Sequence, residues 1–259
     1  MSQTDRLHFL ISYMQQEKKV QQYVPKSFED RFEMYRGLAN ERPAVKAGRE
    51  FLDVQDAFLS EYNSKEITDF ENIKDKENQI YIWQGDITTL KIEAVVNAAN
   101  AEMLGCFIPN HNCIDNIIHT KAGLQLRLAC ATLMEKQGRK EAVGRAKITA
   151  AYNLPADYVI HTVGPIVQNN KVSSMKRDLL AKCYTSCLKT ADDHNIKSIA
   201  FCSISTGVFG YPKEDAAETA VSAVKTYLAE NESSIDVVFN VFDEENRKIY
   251  ENLLTEERS

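Results

Sequence analysis

Apolar residues recur at helical spacing near the start of the chain: Leu7, Leu10, Ile11 and Met14 with Phe9 beside them, then Phe28, Phe32, Met34, Tyr35 and Leu38, then Val45, Phe51, Leu52, Val54, Phe58 and Leu59. This spacing predicts three or four helices and no strand over residues 1–76. The charged run 71–78, Glu-Asn-Ile-Lys-Asp-Lys-Glu-Asn, ends the helical part. From Gln79 onward the period changes. Short β-branched runs at 80–83, 94–97, 147–151, 158–162, 198–203 and 236–242 alternate with amphipathic stretches at 114–121, 123–136, 173–193, 213–230 and 244–255. That alternation predicts an α/β fold, with Pro212 and Asp243 as initiators of the last two helices.

With 259 residues and 44% hydrophobic content, the chain suffices for one large domain, or one domain with an extension, around a buried core. Its 31 Lys and Arg against 37 Asp and Glu give a net charge of −6 and no basic run, which argues against nucleic acid as a partner. The amino terminus lacks the apolar segment of a signal peptide, and no apolar run has the length of a membrane span, so a cytoplasmic protein without membrane contact is expected. Six cysteines, at 106, 113, 130, 183, 187 and 202, show no small-domain disulfide spacing; a reducing compartment keeps them as thiols or metal ligands. Cys183 and Cys187, four apart in a helical pattern, read as core.

Ligands of α/β sheets bind beyond the carboxyl ends of strands, so the loops after strands carry the candidate chemistry. One reads Gln84-Gly-Asp86-Ile87-Thr88. Asp86 suits an adenine amino group or a ribose hydroxyl as acceptor, and equally suits a cap of its own turn. A second, at 205–210, is punctuated by Gly207 and Gly210; it can form an anion nest for a diphosphate, or serve only as a tight turn. A third carries Asn100 and then Cys106-Phe-Ile-Pro-Asn-His111-Asn-Cys113, and the last strand ends at Phe242-Asp243. Two thiols and an imidazole at this spacing suit one zinc ion with a coordination position left open. The competing readings are a structural zinc with a fourth ligand elsewhere, or core cysteines. His119 is a candidate fourth ligand, although a histidine four residues after Asp115 on a predicted helix also serves in a local hydrogen bond. No second cluster of metal ligands is evident, and structural or surface roles are expected for His161, His8 and His194.

Five segments together resemble the macrodomain family: Gly85-Asp-Ile-Thr88, Val95-Val-Asn-Ala-Ala-Asn100, Ile114-Asp-Asn-Ile-Ile-His119, His161-Thr-Val-Gly-Pro165 and 203–212. Their order and spacing match over about residues 77–255. The cysteine–histidine loop resembles a zinc-containing bacterial branch associated with a sirtuin-type ADP-ribosyltransferase and a lipoyl-carrier protein. The resemblance implies a mixed central sheet sandwiched by helices over residues 77–259, with residues 1–76 as a helical extension.

It also implies removal of mono-ADP-ribose from protein side chains by a zinc-containing member. The single cluster predicts one Zn2+ per chain. Asp or Glu esters are the expected linkage, because an ester needs less leaving-group help than an N-glycosidic bond. The alternative is a binding module for ADP-ribose or O-acetyl-ADP-ribose that holds a structural zinc without turnover. Implied partners are a mono-ADP-ribosylated protein, with a lipoyl-carrier protein as a candidate, and the sirtuin-type transferase. By the same resemblance, Asp86 with the Ile87 backbone reads adenine and Phe242 covers it. The backbone of Ser205, Thr206, Gly207, Val208 and Gly210 holds the diphosphate, Phe209 packs on the distal ribose, and Asn100 bonds its hydroxyls. Asp115 matches the acid that activates water in zinc-free members. Only Gly105 remains of the glycine run that follows the second asparagine in common hydrolytic members. The longer metal-type loop in its place implies that metal has taken over positioning or activation near the anomeric carbon.

Overall fold

The computed structural model describes residues 1–74 and 76–255. Its first three helices are α1 (Gln3–Lys18), α2 (Phe28–Glu41) and α3 (Arg49–Asn63). Ser2 starts α1 with a capping box to Asp5, and Ser27 caps α2 by accepting from Asp30 N. Their apolar faces close on one another: Leu7, Leu10, Ile11, Tyr35, Phe51, Phe58 and Leu59 are buried in a cluster of their own. Each fully buried aliphatic or aromatic side chain there contributes about 1.5–3 kcal/mol. Val45 belongs to none of these helices and is exposed, so the extension has three α-helices.

The sheet is formed by β1 (Thr68–Asp69), β2 (Lys76–Glu77), β3 (Ile80–Gln84), β4 (Leu90–Ala99), β5 (Ala146–Ala150), β6 (Ala156–Val163), β7 (Ser198–Phe201) and β8 (Asp236–Val241). Its order is β2-β3-β8-β7-β4-β6-β5, with β1 beside the start of β4. The pairs β2–β3 and β5–β6 are antiparallel and the others parallel, so the sheet is mixed. One strand, β1, falls inside residues 1–76 and β2 begins at the last of them, where none was expected; at two residues each, β1 and β2 are too short to show a period.

Helices α4 (Ile114–Ala122), α5 (Leu124–Gln137), α6 (Ser174–Asp193), α7 (Lys213–Glu230) and α8 (Glu244–Thr255) flank the sheet. Asp243 starts α8 by accepting from Asn246 N at 2.8 Å. Buried strand residues such as Val95, Val96, Ile160 and Phe239 form the main core, and Cys183 and Cys187 lie within it. The three amino-terminal helices meet α4 and α5 through a polar seam. There Asn63 Nδ2 donates to Lys121 O at 3.0 Å, and Leu124 N donates to Gln55 Oε1 at 3.0 Å. No helix among the described residues is long and apolar enough to cross a membrane.

Candidate active site

The parallel strands β3, β4, β6, β7 and β8 end at Gln84, Ala99, Val163, Phe201 and Val241, and the loops leaving them line one edge of the sheet. The loop after β7 turns twice through left-handed backbone, at Ser205 (φ 68°) and Gly210 (φ 67°). Tyr211 N closes it on Ser205 O at 3.0 Å, and Gly210 N donates to Gly207 O at 2.9 Å. The amides of Gly207, Val208 and Phe209 donate to no other group among the described residues, which is the arrangement of an anion nest. Val208 is 79% exposed and Phe209 half-buried. The segment after β6 supports this loop from below: Val167 N donates to Phe209 O at 2.8 Å, and a Cβ on Gly164 would collide with Ser205 Oγ.

At the other end, Gly85 N donates to Val241 O at 3.1 Å, so Asp86 and Phe242 stand at the ends of adjacent strands. Phe242 is 81% exposed, a ring free to cover a ligand face. Asp86 Oδ1 accepts from Thr88 N at 2.9 Å and from Thr88 Oγ1 at 2.6 Å, while Oδ2 pairs with Lys121 Nζ at 2.8 Å. Burial pushes its carboxyl up, but the Lys121 and Thr88 bonds outweigh this and hold it below the usual carboxylate range. Asp86 therefore caps the 3-10 turn Ile87–Thr89, and any ligand amino group would compete with Lys121 for its outer oxygen. Ile87 itself is buried, leaving its backbone as the contact it offers.

After β4, the Asn100 carboxamide staples its own loop: Nδ2 donates to Gly105 O at 3.1 Å and Oδ1 accepts from Met103 N at 3.0 Å. Gly105 is required there, because its φ is 79° and a Cβ would stand 2.9 Å from the His119 ring. The staple delivers the chain to Cys106. Cys106 Sγ lies 3.6 Å from His111 Nδ1, and the ligand atoms of Cys106, His111 and Cys113 all lie within 4.8 Å of one another. Sulfur and nitrogen ligands at about 2.3 and 2.0 Å from one zinc would be about 3.5 Å apart at tetrahedral angles, so the trio fits that ion. Cys113 also precedes the first turn of α4, where the helix dipole favours a thiolate. Burial, with the Cys106 thiol nearby, raises the Cys113 thiol above its ordinary range, and a bound cation would displace that proton.

Behind the trio, the expectation of no second cluster is overturned. His119, Cys130 and His161 bring three ligand-type atoms within 4.8 Å in the core. They come from α4, α5 and β6, and only the fold brings them together. His119 belongs to this group and not to the trio. Neither of its ring nitrogens has a hydrogen-bond partner among the described residues, and Nε2 lies 3.5 Å from Asp115 Oδ1. His161 bonds Asn97 Nδ2 at 3.1 Å and Thr149 Oγ1 at 2.9 Å; burial drives its pKa down to about 3, so it is neutral and structural. Asn97 also donates to Asp115 Oδ1 at 2.8 Å. Burial raises Asp115 to about 6, although the Asn97 bond and the Arg127 charge pull the other way. Its side chain is 7% exposed.

An acid, an anion nest and a thiol–imidazole trio thus stand on loops that leave the same edge of a mixed sheet. The Macro domain family model matches residues 96–220. The chain is 56% identical over 248 residues to a protein named "Protein-ADP-ribose hydrolase" from Staphylococcus aureus, covering 95% of this chain and 93% of that protein. The chain belongs to the macrodomain family. A Treponema medium protein of the same name is 45% identical, with 98% of this chain and 100% of the relative covered. A mutant of the Oceanobacillus iheyensis macrodomain solved with ADPR superposes with a TM-score of 0.63 at 36% identity, over 72% of this chain and 96% of that one. The uncovered part leaves room for the amino-terminal helices, where two of the residues missed in the sequence lie. Arg36 and Asn40 of α2 reach the metal-type loop, and Lys121 of α4 pairs with Asp86.

Proposed function

We propose that this macrodomain is a hydrolase that removes mono-ADP-ribose from protein side chains, with zinc held by Cys106, His111 and Cys113. The observation that carries the reading is the metal trio, delivered by the Asn100 staple on the loop after β4, at the same sheet edge as the anion nest after β7. The name shared by relatives along nearly the whole chain supports the activity. Zinc, when bound by these three residues, would supply a Lewis acid. In this reading Asp86 exchanges its Lys121 bond for the adenine amino group, and Phe242 lies over the ring. The backbone of the 205–210 loop holds the diphosphate through amides such as those of Gly207 and Val208, while the Thr206 and Gly210 amides, expected to share this contact, bond Ser203 O and Gly207 O instead, and Phe209 packs on the ribose. Asn100 orients the ribose hydroxyls. Asp115 takes the proton of the attacking water as its oxygen bonds the anomeric carbon, and the side-chain carboxylate leaves with the electron pair. A carboxylate needs little help to leave, which favours Asp and Glu esters as the linkage. The source of such a substrate would be a sirtuin-type transferase, with a lipoyl-carrier protein as the candidate acceptor.

One observation favours a second reading, a non-catalytic reader of ADP-ribose or its O-acetyl derivative with a structural zinc. Asp115 is nearly closed off behind Asn97, and the Asn100 carboxamide is committed to its loop. Elemental analysis of the purified protein, beside release assays on Asp/Glu-, Ser- and Arg-linked mono-ADP-ribosyl proteins, separates the two. One zinc per chain and release from the ester linkage is the expected result. Zinc-loaded protein that binds ADP-ribose and releases none from any linkage would establish the reader, and protein purified without zinc would remove the metal from the reading.

A further inference from the structure

The metal-type loop is gripped from behind by α2. Arg36 is 9% exposed; its Nη2 donates to His111 O at 2.7 Å and to Asn112 Oδ1 at 3.2 Å, and its Nε donates to Asn116 Oδ1 at 3.4 Å. Asn116, fully buried on α4, extends the hold: its Nδ2 donates to Ile108 O at 3.0 Å and Cys106 O at 3.5 Å. One turn along α2, Asn40 Oδ1 accepts from Asn110 N at 3.1 Å, and its Nδ2 donates to Thr120 Oγ1 at 3.0 Å. Between Arg36 and Asn40, Gly37 lets the loop lie against the helix. A Cβ there would stand 3.0 Å from Asn110 Oδ1 and 3.8 Å from Pro109 Cβ.

The main chain at Cys106, Ile108, Asn110 and His111 is therefore fixed by side chains outside the loop. A short polar loop left in water would lose much conformational entropy on gathering three ligands; here that entropy is lost on folding, before a cation arrives. The planar guanidinium matters, since one fork bonds a carbonyl and two amide oxygens together, which a lysine ammonium on a flexible stem does not reproduce. We propose that Arg36, assisted by Asn116 and Asn40, is a positioning residue that presets Cys106 and His111 for the cation, making the amino-terminal helices part of the metal centre. The proposal rests on the zinc reading above.

Arg36→Met keeps the volume and removes every donor. In the full chain, zinc affinity is measured by competition with a chromogenic chelator, and hydrogen exchange of the Asn110 and His111 amides is followed in metal-free protein. Zinc should bind about 10–100-fold more weakly, the usual loss when a group supporting a metal ligand is removed. The two amides should exchange faster even without metal, and free ADP-ribose should bind as before. Arg36→Lys should recover only part of the affinity. If Arg36→Met does not fold, Gly37→Val gives the same readouts, since it adds bulk toward Asn110 and Pro109, and it should weaken zinc in the same direction. A folded Arg36→Met protein with wild-type zinc affinity would overturn the positioning role alone. Wild-type protein that takes up no zinc would overturn the zinc reading and this proposal with it.

Discussion

The loop at 205–210 takes its shape from its own backbone, with Ser205 and Gly210 in left-handed conformation and Tyr211 closing on Ser205 O. The loop at 106–113 takes its shape from side chains 75 and 70 residues away, Arg36 on His111 O and Asn40 on Asn110 N. The first is a locally encoded cradle with unused amides; the second is a tertiary construction held by contacts from α2. In the proposed function the two serve different steps, holding the diphosphate and cleaving the glycosidic ester. Changes to one should therefore leave the other's property largely intact.

The largest effect should follow Arg127→Ala, which tests how far the docked helices hold the metal-side loop. Arg127 is 4% exposed; its Nη1 donates to Ala39 O at 3.2 Å and Asn40 O at 2.8 Å and bonds Arg42 O, and its guanidinium lies 4.3 Å from the Phe107 ring. Removing it orphans three carbonyls at the end of α2, and a loss of about 3–5 kcal/mol in chemical denaturation is expected. A loss under 1 kcal/mol would show that α2 docks independently of α5. Next, Asp86→Ala should weaken ADP-ribose binding by about 1.5–3 kcal/mol in calorimetry, the cost of a charge-assisted hydrogen bond, with zinc content unchanged. Unchanged affinity would remove Asp86 from the adenine end and leave it a turn cap paired with Lys121. The smallest effect should come from Gly164→Ala, whose methyl meets Ser205 and must displace the diphosphate loop. An overpacked contact costs about 1–3 kcal/mol, and ADP-ribose affinity should fall about tenfold while zinc binding stays constant. Loss of zinc in this variant would mean that the two loops are mechanically coupled, contrary to the contrast drawn above.

What was legible in the sequence follows the same division. The helices of the extension and the five later helices were readable because their apolar positions repeat at helical spacing, with Pro212 and Asp243 marking the starts of the last two. The strands β3 to β8 were readable as β-branched runs, whereas β1 and β2 were too short to show a pattern. Cys106, His111 and Cys113 are neighbours in sequence, so their convergence needed no tertiary information. His119, Cys130 and His161 converge only through three separate elements, and Lys121 meets Asp86 only because α4 passes the end of β3. Arg36 and Asn40 did leave a trace: they stand four apart on the otherwise apolar stripe of α2, among Phe32, Tyr35, Leu38 and Ala39. Polar residues at core-facing positions need partners, and that is the signal that marks them. The Asn100 carboxamide shows the opposite limit, since its type suits a ribose hydroxyl and nothing in the sequence reveals that Gly105 and Met103 already occupy it.

That bond cleavage depends on the metal trio while binding of free ADP-ribose does not is tested most directly on one preparation of His111→Ala. Single-turnover release of ADP-ribose from a glutamyl-linked protein and calorimetric binding of free ADP-ribose are measured on that same sample, with its melting temperature as the check on folding. The account predicts release slower by a factor of about 10² or more, the scale of losing a group that stabilises developing charge. ADP-ribose affinity should stay within about threefold of wild type, a shift under about 1 kcal/mol, because the adenine and diphosphate contacts come from other loops. Release at the wild-type rate from folded His111→Ala protein lacking zinc would contradict the account, and so would affinity and release falling together by the same factor.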